Sequence, residues 1–306
     1  MNYIKQFRVD PGADVDLSKV DASFKDTHES HEHALPEIEE YTQKLRDLQY
    51  LMYAEGKRSL LICLQGRDAA GKDGTINHVL SAMNPQGCTV TGFKVPSKID
   101  AAHDFLWRYH LHTPGTGQVA IFNRSHYEDV LVVRVHNLVP EEVWSGRYEQ
   151  INDFEKTLAK NGTHILKFYL HIDPEEQLER FKLRILDPSR HWKISDGDYA
   201  ERPYWDAYTK AFEDAMGKTS TKHAPWFIIP SNHKWFRNLA ISKIIAETLE
   251  SLNMRFPEPT ADIDAIKQKY HAIVQEERIG VEIAKRKLQK MASKEEKEKK
   301  KKKKKK

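Results

Sequence analysis

The segment GRDAAGKD, residues 66–73, combines glycines and charged side chains in a way that is typical of a phosphate site. Gly66, Gly71 and Lys72 have the spacing G-x-x-x-x-G-K of a phosphate-binding loop, in which backbone N–H groups and a lysine hold an anion. Asp73 stands where such loops have the serine or threonine that binds magnesium. The predicted phosphate-binding residues of the loop are Gly66, Ala69, Ala70, Gly71, Lys72 and Asp73.

The residues on either side of the loop support this interpretation. SLLICLQ, residues 59–65, is a short apolar run typical of a buried parallel strand. After the loop, Ile76, Val79 and Leu80 recur at helical spacing. A phosphate-binding loop lies between such a strand and such a helix, whereas a plain glycine turn would give no reason for Lys72.

Acidic residues around the loop indicate a metal-dependent reaction. Asp68 would repel a bare phosphate, so it fits a site in which it binds Mg²⁺ or contacts an incoming acceptor. A second polar group follows an apolar run in IFNRSHYEDV, where Asn123 is an amide and supplies no charge. Mg²⁺, or Mn²⁺ as a substitute, prefers carboxylate oxygens and bridges them to phosphate. The candidate ligands are Asp68, Asp73, Glu128 and Asp129, of which we single out Asp68 and Asp129.

Basic residues farther along the chain could neutralise a transferring phosphoryl group. Arg184, Arg190 and Lys193 lie close together in RILDPSRHWK, beside a proline and a glycine that suit a mobile lid over about residues 184–200. A solvated basic loop is the alternative for this stretch. Lys94, Lys98 and Arg108 could line the path of a polyanion.

Apolar runs alternate with helical patterns, which predicts an α/β fold with a central parallel sheet flanked by helices. Ligands of such sheets bind at the carboxyl ends of the strands, where residues 66–73 lie. Strands are predicted at 59–65, 89–95, 118–123, 164–172 and 226–230. Helices are predicted from Pro36 to about residue 55 and at 101–111, 141–160, 174–186, 204–216, 234–252 and 261–290.

Composition predicts three regions. Residues 1–35 are polar and irregular and are expected to form a loosely attached arm, whose His28, His31 and His33 are expected to be solvated. Residues 36–258 form the predicted catalytic domain, and residues 259–306 a charged helical extension with a lysine-rich tail. Cys63 and Cys88 indicate neither a disulfide framework nor a metal site.

The positive charge of the chain is concentrated in that tail. The net charge is +4, but residues 294–306 contain ten lysines and three glutamates, or +7, which leaves −3 for residues 1–293. Attraction to polyanions must therefore come from local clusters or from the tail. The run 299–306 is all lysine and is predicted to be disordered because like charges repel. No stretch is apolar enough for a membrane helix or a signal peptide, so we expect a cytoplasmic protein without a membrane partner.

Six separate motifs of this sequence resemble the polyphosphate kinase 2 family, in order, across roughly residues 35–255. They are GRDAAGKDGTI, FKVPSK with HDFLWR, FNRSHYEDVLVVRV, RILDPSRHWKISDGD, RPYWDAY and APWFIIPSNHKWFR. FNRSHYED is most similar to the class III members, since Asn123 stands where other classes have aspartate.

The resemblance implies a P-loop kinase with a thymidylate-kinase-like core. It implies Mg²⁺-dependent transfer of the terminal phosphoryl group between inorganic polyphosphate and adenine or guanine nucleotides, with both AMP and ADP accepted, in a homo-oligomer that needs no specific nucleic acid. By position, Asp68, Lys72 and Arg124 match residues used for catalysis and phosphate contact, and Asp129 is a further catalytic candidate. The resemblance also gives Arg134 as a phosphate residue, Arg184, Arg190 and Lys193 as lid cations, and Glu128 as the candidate for acceptor selection. Lys98 and Arg108 are further candidates for contact with the acceptor nucleotide, and Lys94 for contact with phosphate.

Two other functions stay open at the level of sequence. The loop by itself also fits a kinase that uses ATP as donor for a nucleotide or another small molecule, although Asp73 and the cations outside the loop weigh against it. A protein of a different class would bind polyanions without catalysis, with the lysine-rich tail as its active part.

Overall fold

In the computed structural model, backbone structure is described for residues 1–303 and side chains for residues 1–290. The chain forms two compact units, Met1–Phe256 and Pro257–Lys306. The first unit contains all the strands of the described residues, and the second consists mainly of one long helix.

Five parallel strands form one sheet in the order β2-β3-β1-β4-β5. In the middle of it, Ile62 of β1 pairs with Ile121 of β3 and with Leu166 of β4. All three central strands are buried along most of their length, as expected for a parallel sheet covered on both faces. The strands are β1 (Ser59–Gly66), β2 (Cys88–Gly92), β3 (Val119–Asn123), β4 (Thr163–His171) and β5 (Trp226–Pro230). The predicted α/β fold is confirmed.

Eleven α-helices connect the strands or extend from them within residues 1–303. The first six are α1 (Tyr3–Phe7), α2 (His31–Glu55), α3 (Lys72–Ala82), α4 (Trp107–His110), α5 (Val132–Val135) and α6 (Glu141–Lys160). The other five are α7 (Pro174–Leu186), α8 (Asp196–Ala200), α9 (Trp205–Thr219), α10 (Lys234–Ser251) and α11 (Ile263–Lys303).

Most of the helices predicted for the first unit are present, with two clear differences. The helix predicted to begin at Pro36 begins five residues earlier at His31, because Ser30 caps it by accepting a hydrogen bond from the backbone N–H of His33. The helix predicted at 101–111 is wrong: only Trp107–His110 is α-helical, and Asp104 interrupts the segment by binding the backbone N–H of Leu106.

The hydrophobic core lies on both faces of the sheet. On one face α2, α3 and α10 pack against the strands, with Leu45, Ile76 and Ile244 buried there. On the other face the side chains come from α6 and α9, among them Ile151 and Phe212. Each helix therefore buries one side against the sheet, and the carboxyl edge of the sheet is left for the loops.

The prediction of a loosely attached amino-terminal arm is wrong. Tyr3 and Phe7 are buried against Phe236 of α10, and the backbone N–H of Val9 donates to the carbonyl of Trp226 in β5. The polar composition of this segment hides a few apolar residues whose burial against α10 fixes it. Its histidines are not all solvated either, because Nε2 of His28 lies 2.9 Å from Glu37.

The second unit is a long, exposed helix as far as the described side chains extend. α11 continues past residue 290, where the sequence predicts its end, as far as Lys303, which is consistent with the helix propensity of lysine and glutamate. The predicted disorder of the lysine run thus differs from the helix through Lys303, and residues 304–306 lie outside the described residues. Among the described residues, no helix has both the length and the apolar character that crossing a membrane requires.

Candidate active site

The loop between β1 and α3 has the backbone shape of an anion cradle. Gly66 and Gly71 have φ angles of 153° and 108°, and Ala69 has 62°, so the chain turns through conformations that favour glycine. A Cβ at Gly71 would lie 1.8 Å from Nη1 of Arg237, which leaves no space for a side chain there. α3 begins at Lys72 without a side-chain cap, and the first N–H groups of a helix have no partner within it. Those N–H groups and the positive end of α3 face the loop's interior.

Lys72 lies at the centre of this cradle. Its Nζ donates to the carbonyl oxygens of Gly66, at 2.7 Å, and of Arg67, at 3.2 Å. Burial, together with the nearby cation of Arg124, lowers the pKa of Lys72 below its usual value. A phosphate bound close to Lys72 would favour the charged form of this side chain and oppose the effect of burial on its pKa.

Arg124 contacts two acidic residues of the site, Asp68 and Glu128. It follows β3 directly, and its φ of 62° is an unusual conformation for a residue with a side chain. The guanidinium lies 3.0 Å from Asp68 and 3.8 Å from Glu128. Burial lowers the pKa of Arg124, but the carboxylates of Glu128 and Asp68 outweigh it and raise that pKa overall. Burial also raises the pKa of Glu128, although Arg124 and Lys72 oppose this effect.

Asp73 and Asn123 are joined by a hydrogen bond across the cradle. The amide nitrogen of Asn123 donates to Oδ1 of Asp73 at 2.9 Å. Asp73 and Asp68 line the same cavity. No group of three or more acidic, histidine or cysteine side chains that could hold a metal is present among the described residues. Two carboxylates at one cavity suit Mg²⁺, because this ion keeps several of its waters and is shared between protein carboxylates and substrate phosphates.

A strongly basic cavity of about 540 Å³ opens over the loop, and we call it the basic cavity. Eight basic side chains line it against three acidic ones. The basic residues are Lys72, Arg124, Arg180, Arg184, Arg190, Lys193, Lys234 and Arg237, and the acidic ones are Asp68, Asp73 and Asp198. Such an excess of cations around a phosphate loop suits a ligand with several negative charges.

Three of these cations were not singled out from the sequence. Arg237 of α10 is 3% exposed and donates to the carbonyl of Ala70 at 3.2 Å, and burial beside Arg180 lowers its pKa to about 9. Arg180 of α7 donates to the carbonyls of Ala69 and Ala70 at 2.7 and 2.9 Å. Lys234 begins α10 and lines the same cavity. Lys234 and Arg237 belong to the family motif APWFIIPSNHKWFR, but the sequence gives no sign that this motif lies beside the loop.

The predicted lid cations do reach the cavity. Arg184 donates to the carbonyl of Lys193 at 2.8 Å and lies 3.6 Å from Asp198. Arg190 pairs with Asp187 at 2.8 Å and remains largely exposed. The short helical turn at Pro188–Lys193 comes shortly after α7, and its side chains are all exposed. Exposed side chains of this kind have few buried contacts to hold them, and the mobility of the lid stays a prediction.

A second cavity, of about 350 Å³, lies on the other side of Asp68 and Arg124, and we call it the aromatic cavity. Its wall includes three aromatic side chains, Trp205, Tyr208 and Phe212. The guanidinium of Arg67 covers one face of Trp205 at 3.7 Å, and burial with a hydrogen bond to Glu201 raises the pKa of Tyr208. Asp68, Arg124 and Asp198 line both cavities, so the two spaces meet at these side chains.

Six of the predicted site residues line neither cavity: Ala70, which is buried within the loop, and five that lie outside the loop. Asp129 is 8% exposed and accepts a hydrogen bond from Tyr109 at 2.7 Å, with Arg108 and Arg147 each 3.5 Å away. Asp129 and Arg108 thus satisfy one another in a buried network rather than facing the loop. Arg134 pairs with Asp214 at 2.7 Å, on a different part of the surface. Lys94 and Lys98 are exposed outside both cavities.

A fully buried network supports the turn that carries Glu128. Lys167 of β4 donates to Glu155 of α6 at 2.7 Å and to the hydroxyl of Tyr127 at 2.8 Å. Nε2 of His126 lies 3.0 Å from the same carboxylate. Burial lowers the pKa of Lys167, while Lys167 and His126 hold the pKa of Glu155 below its usual value despite burial. The network ties His126 and Tyr127, just before Glu128, to the sheet.

Comparison with known proteins finds one matching family and several similar proteins. The model of a family described as polyphosphate kinase 2 (PPK2) matches residues 28–257. The chain is 46% identical over 257 residues to the AMP/ADP-polyphosphate phosphotransferase of Meiothermus ruber, covering 84% of this chain and 96% of that protein. It is 44% identical over 268 residues to the ADP-polyphosphate phosphotransferase of Rhodopseudomonas palustris, covering 84% and 93%. The crystal structure of polyphosphate kinase 2 from Arthrobacter aurescens TC1 superposes with a TM-score of 0.85 at 38% identity, covering 90% of this chain and 97% of that one.

Proposed function

Because the chain belongs to the polyphosphate kinase 2 family, we propose that it moves the terminal phosphoryl group of inorganic polyphosphate to AMP and ADP. The observation that carries this proposal is the basic cavity, with eight cations around a phosphate loop. An ordinary nucleotide kinase would need to neutralise only one triphosphate. A donor that carries about one charge per phosphate makes use of the additional cations on the lid and on α10.

Polyphosphate would occupy the basic cavity. Its terminal phosphate would lie in the loop against Lys72 and the first N–H groups of α3, and the following phosphates would contact Arg237 and Lys234. Arg237 is buried and has no carboxylate partner among the described residues, so its charge is unfavourable until an anion binds. The lid residues Arg184, Arg190 and Lys193 would close over the bound chain.

The acceptor nucleotide would occupy the aromatic cavity. Trp205, Tyr208 and Phe212 offer apolar surface for a base, and Glu128 lies between that surface and the loop. The acceptor's phosphate would then point toward Asp68 and Arg124, where the two cavities meet. We infer that Glu128 influences which acceptor is preferred.

The transfer itself needs positioning and positive charge more than covalent help. An oxygen of the acceptor's terminal phosphate bonds to the terminal phosphorus of polyphosphate, the bond from that phosphorus to its bridging oxygen breaks, and the shortened chain keeps the electron pair. That acceptor oxygen is already deprotonated near pH 7, so no general base is required. Lys72 and Arg124 would stabilise the charge that spreads over the equatorial oxygens.

A divalent cation fits the carboxylates of the site. Asp68 and Asp73 would hold Mg²⁺, for which Mn²⁺ could substitute, because both line the basic cavity while Asp129 is enclosed by Arg108 and Arg147. When bound, the ion would neutralise phosphate charge and help to align the donor and the acceptor. We also propose that several copies of the chain assemble and that the acceptor is an adenine or guanine nucleotide.

Phosphorus NMR tests the function directly. The purified protein is incubated with magnesium, long-chain polyphosphate and AMP, without ATP. The expected result is the appearance of ADP signals followed by ATP signals, while the mid-chain polyphosphate signal falls relative to the end-group signal as chains shorten. Silence with polyphosphate, but turnover of AMP once ATP is added, would contradict the proposal and favour an ATP-dependent kinase.

A further inference from the structure

Arg67 is a charged residue of the phosphate loop that has no part in the reaction as proposed above. It stands between Gly66 and Asp68 in the chain, yet it lines the aromatic cavity and not the basic cavity. Asp68, the next residue, lines both cavities. The loop therefore supplies a cation to the acceptor side of the site as well as Lys72 to the donor side.

Neutral groups hold the guanidinium of Arg67 in place. Its central carbon lies 3.7 Å from the centre of the Trp205 ring. Its Nη2 donates to the carbonyl of Trp205 at 2.7 Å and to the hydroxyl of Thr209 at 2.6 Å. The hydroxyl of Tyr169 is a further polar neighbour. The protein itself thus positions this cation, against the beginning of α9 and at the wall of the aromatic cavity.

The positive charge of Arg67 is not balanced by the residues around it. The residue is only 9% exposed, and no carboxylate of the described residues forms an ion pair with it. Burial accordingly lowers its pKa below the usual value. A neutral side chain could make hydrogen bonds to α9 without the cost of burying a charge. A cation at this position is therefore expected to serve an anion that enters the aromatic cavity.

The acceptor nucleotide can supply that anion in only one of its two forms. In the proposed reaction, the acceptor's terminal phosphate lies near Asp68 and Arg124, where the cavities meet and the donor can be reached. Behind that phosphate AMP has its ribose, whereas ADP has a second phosphate. This second phosphate lies one unit deeper in the aromatic cavity, so ADP brings negative charge to the wall formed by Arg67 and Trp205.

Arg202 also lines the aromatic cavity but is placed differently. Its Nη1 donates to Oε1 of Gln177 at 2.6 Å and to the carbonyl of Pro174 at 3.2 Å, both in the first turns of α7. Arg67 is instead the chain neighbour of Asp68, at which the two cavities meet. Of the two arginines, Arg67 is therefore the one adjacent to the path of the acceptor's phosphates.

Resting on the proposed function, we propose that Arg67 binds the α-phosphate of ADP, the phosphate that does not react, and so lets one site accept a nucleoside diphosphate as well as a monophosphate. Arg67 determines acceptor specificity and does not contact the phosphoryl group that is transferred. Its loss should therefore weaken the binding of ADP, with little change in kcat or in the binding of AMP.

Three substitutions at this position test the proposal in the full-length protein. Arg67→Met removes the charge and keeps apolar contact with Trp205, Arg67→Gln removes the charge and keeps a hydrogen-bond donor, and Arg67→Lys keeps the charge. Arg202→Met is the matched control, because it removes another arginine from the same cavity. Initial rates with saturating polyphosphate and magnesium are measured separately with AMP and with ADP, by chromatography of the nucleotides. Thermal unfolding checks that each variant is folded.

The expected result for Arg67→Met and Arg67→Gln is a KM for ADP about tenfold higher, with the KM for AMP within about twofold of wild type, since one charge-assisted contact is lost. Arg67→Lys should regain most of the affinity for ADP. Arg202→Met should change the two KM values by similar factors.

Several results would overturn the proposal. A residue that only ties α9 to the loop would affect both acceptors alike, so equal changes in the two KM values, or none, would contradict a role in binding ADP. A lysine variant as poor with ADP as the methionine variant would exclude a role of the charge. Failure of both Arg67→Met and Arg67→Gln to fold would show that Arg67 serves the structure instead.

The proposed function and this inference fail in different ways. If wild-type protein transfers no phosphate from polyphosphate to either nucleotide, the proposed function is wrong. If wild-type protein phosphorylates both and the Arg67 variants keep the wild-type ratio of the two KM values, only the role of Arg67 is wrong. A wild-type protein that phosphorylates only one of the two nucleotides would overturn the inference and leave polyphosphate as the donor.

Discussion

The basic cavity and the aromatic cavity share Asp68 and Arg124 but are built from different chemistry. The basic cavity is lined by lysines and arginines from the loop, the lid, α7 and α10, with one apolar side chain, Leu183, apart from the small Ala69. The aromatic cavity combines Trp205, Tyr208 and Phe212 with Glu128 and Glu201. The first can recognise charge along a chain, and the second can recognise a base. This difference supports the proposal that donor and acceptor bind on opposite sides of one pair of side chains.

Replacing Lys72 with alanine should have the largest effect, because Lys72 lies at the end of the donor site nearest the reacting phosphate. We expect kcat to fall by about 10²- to 10³-fold, the scale seen when one preorganised donor is removed from an oxyanion site. Coupled ATP formation measures the rate, and thermal unfolding checks that the variant is folded. Lys182→Ala is the matched control, since Lys182 is exposed on α7 and pairs with Glu179. Near-wild-type turnover by folded Lys72→Ala would contradict the assignment of the donor site.

Replacing Arg237 with methionine should separate substrate binding from stability. We expect the KM for polyphosphate to rise by about tenfold or more, because a buried cation that would contact the chain is lost. The melting temperature should not fall, because Arg237 is buried near Arg180 and its pKa is lowered to about 9, so its charge is unfavourable in the free protein at neutral pH. Steady-state kinetics and thermal unfolding measure the two effects.

The control for that variant is Arg46→Met, which changes an exposed arginine of α2. A loss of stability in Arg237→Met without any change in KM would indicate that Arg237 only supports the loop through Ala70. A rise in the KM for AMP of the same size as that for polyphosphate would show that the two cavities are not separate in function.

Salt should distinguish the two cavities without any substitution. Between about 50 and 200 mM salt, the KM for polyphosphate should rise steeply, since many counterions are released when a polyanion binds. The KM for AMP should rise much less, because apolar contact with a base is not screened. Initial rates at several salt concentrations give both slopes. Equal slopes would argue against assigning the basic cavity to a long polyanion.

Glu128→Gln should have the smallest effect and should be confined to the acceptor. We expect the KM for AMP or ADP to change by about fivefold, the scale of one hydrogen bond, with the KM for polyphosphate unchanged. Glu142→Gln, at an exposed position of α6, is the control.

The pH dependence sharpens this prediction. Burial raises the pKa of Glu128, so its carboxylate is protonated at a higher pH than an ordinary glutamate. As the pH falls through that raised pKa, the wild-type acceptor KM should approach the value of Glu128→Gln. The variant should lack this step. An identical pH profile in both proteins would remove Glu128 from acceptor binding.

Local sequence patterns were sufficient to predict the elements whose structure depends on neighbouring residues. The phosphate loop at 66–73, the helices at 141–160 and 174–186 and the approximate positions of the five strands along the chain followed from spacing and composition. The helix at 101–111 did not, because the carboxylate of Asp104 accepts a hydrogen bond from the backbone N–H of Leu106 and so competes with the helical backbone. The buried arm was missed for a related reason, since Tyr3 and Phe7 find their apolar partner in α10, more than two hundred residues away in the chain.

Part of the candidate site could not be predicted from the sequence, because contacts between distant residues determine which side chains line it. Asp129 and Glu128 are neighbours and looked equivalent in the sequence, yet only Glu128 lines a cavity. Asp129 turns toward Tyr109, Arg108 and Arg147, which satisfy its charge inside the protein. Nothing within the motif could distinguish two adjacent acids.

The sequence by itself determined the phosphate loop, the alternation of strands and helices, the family motifs and the concentration of lysine beyond residue 284. These are properties of neighbouring residues, because backbone geometry and hydrophobic spacing act over a few positions. Only the tertiary structure decided that Arg180 and Arg237 converge on the loop and that two cavities meet at Asp68 and Arg124. Packing of the helices on the sheet sets those distances, and it joins residues that lie more than one hundred positions apart.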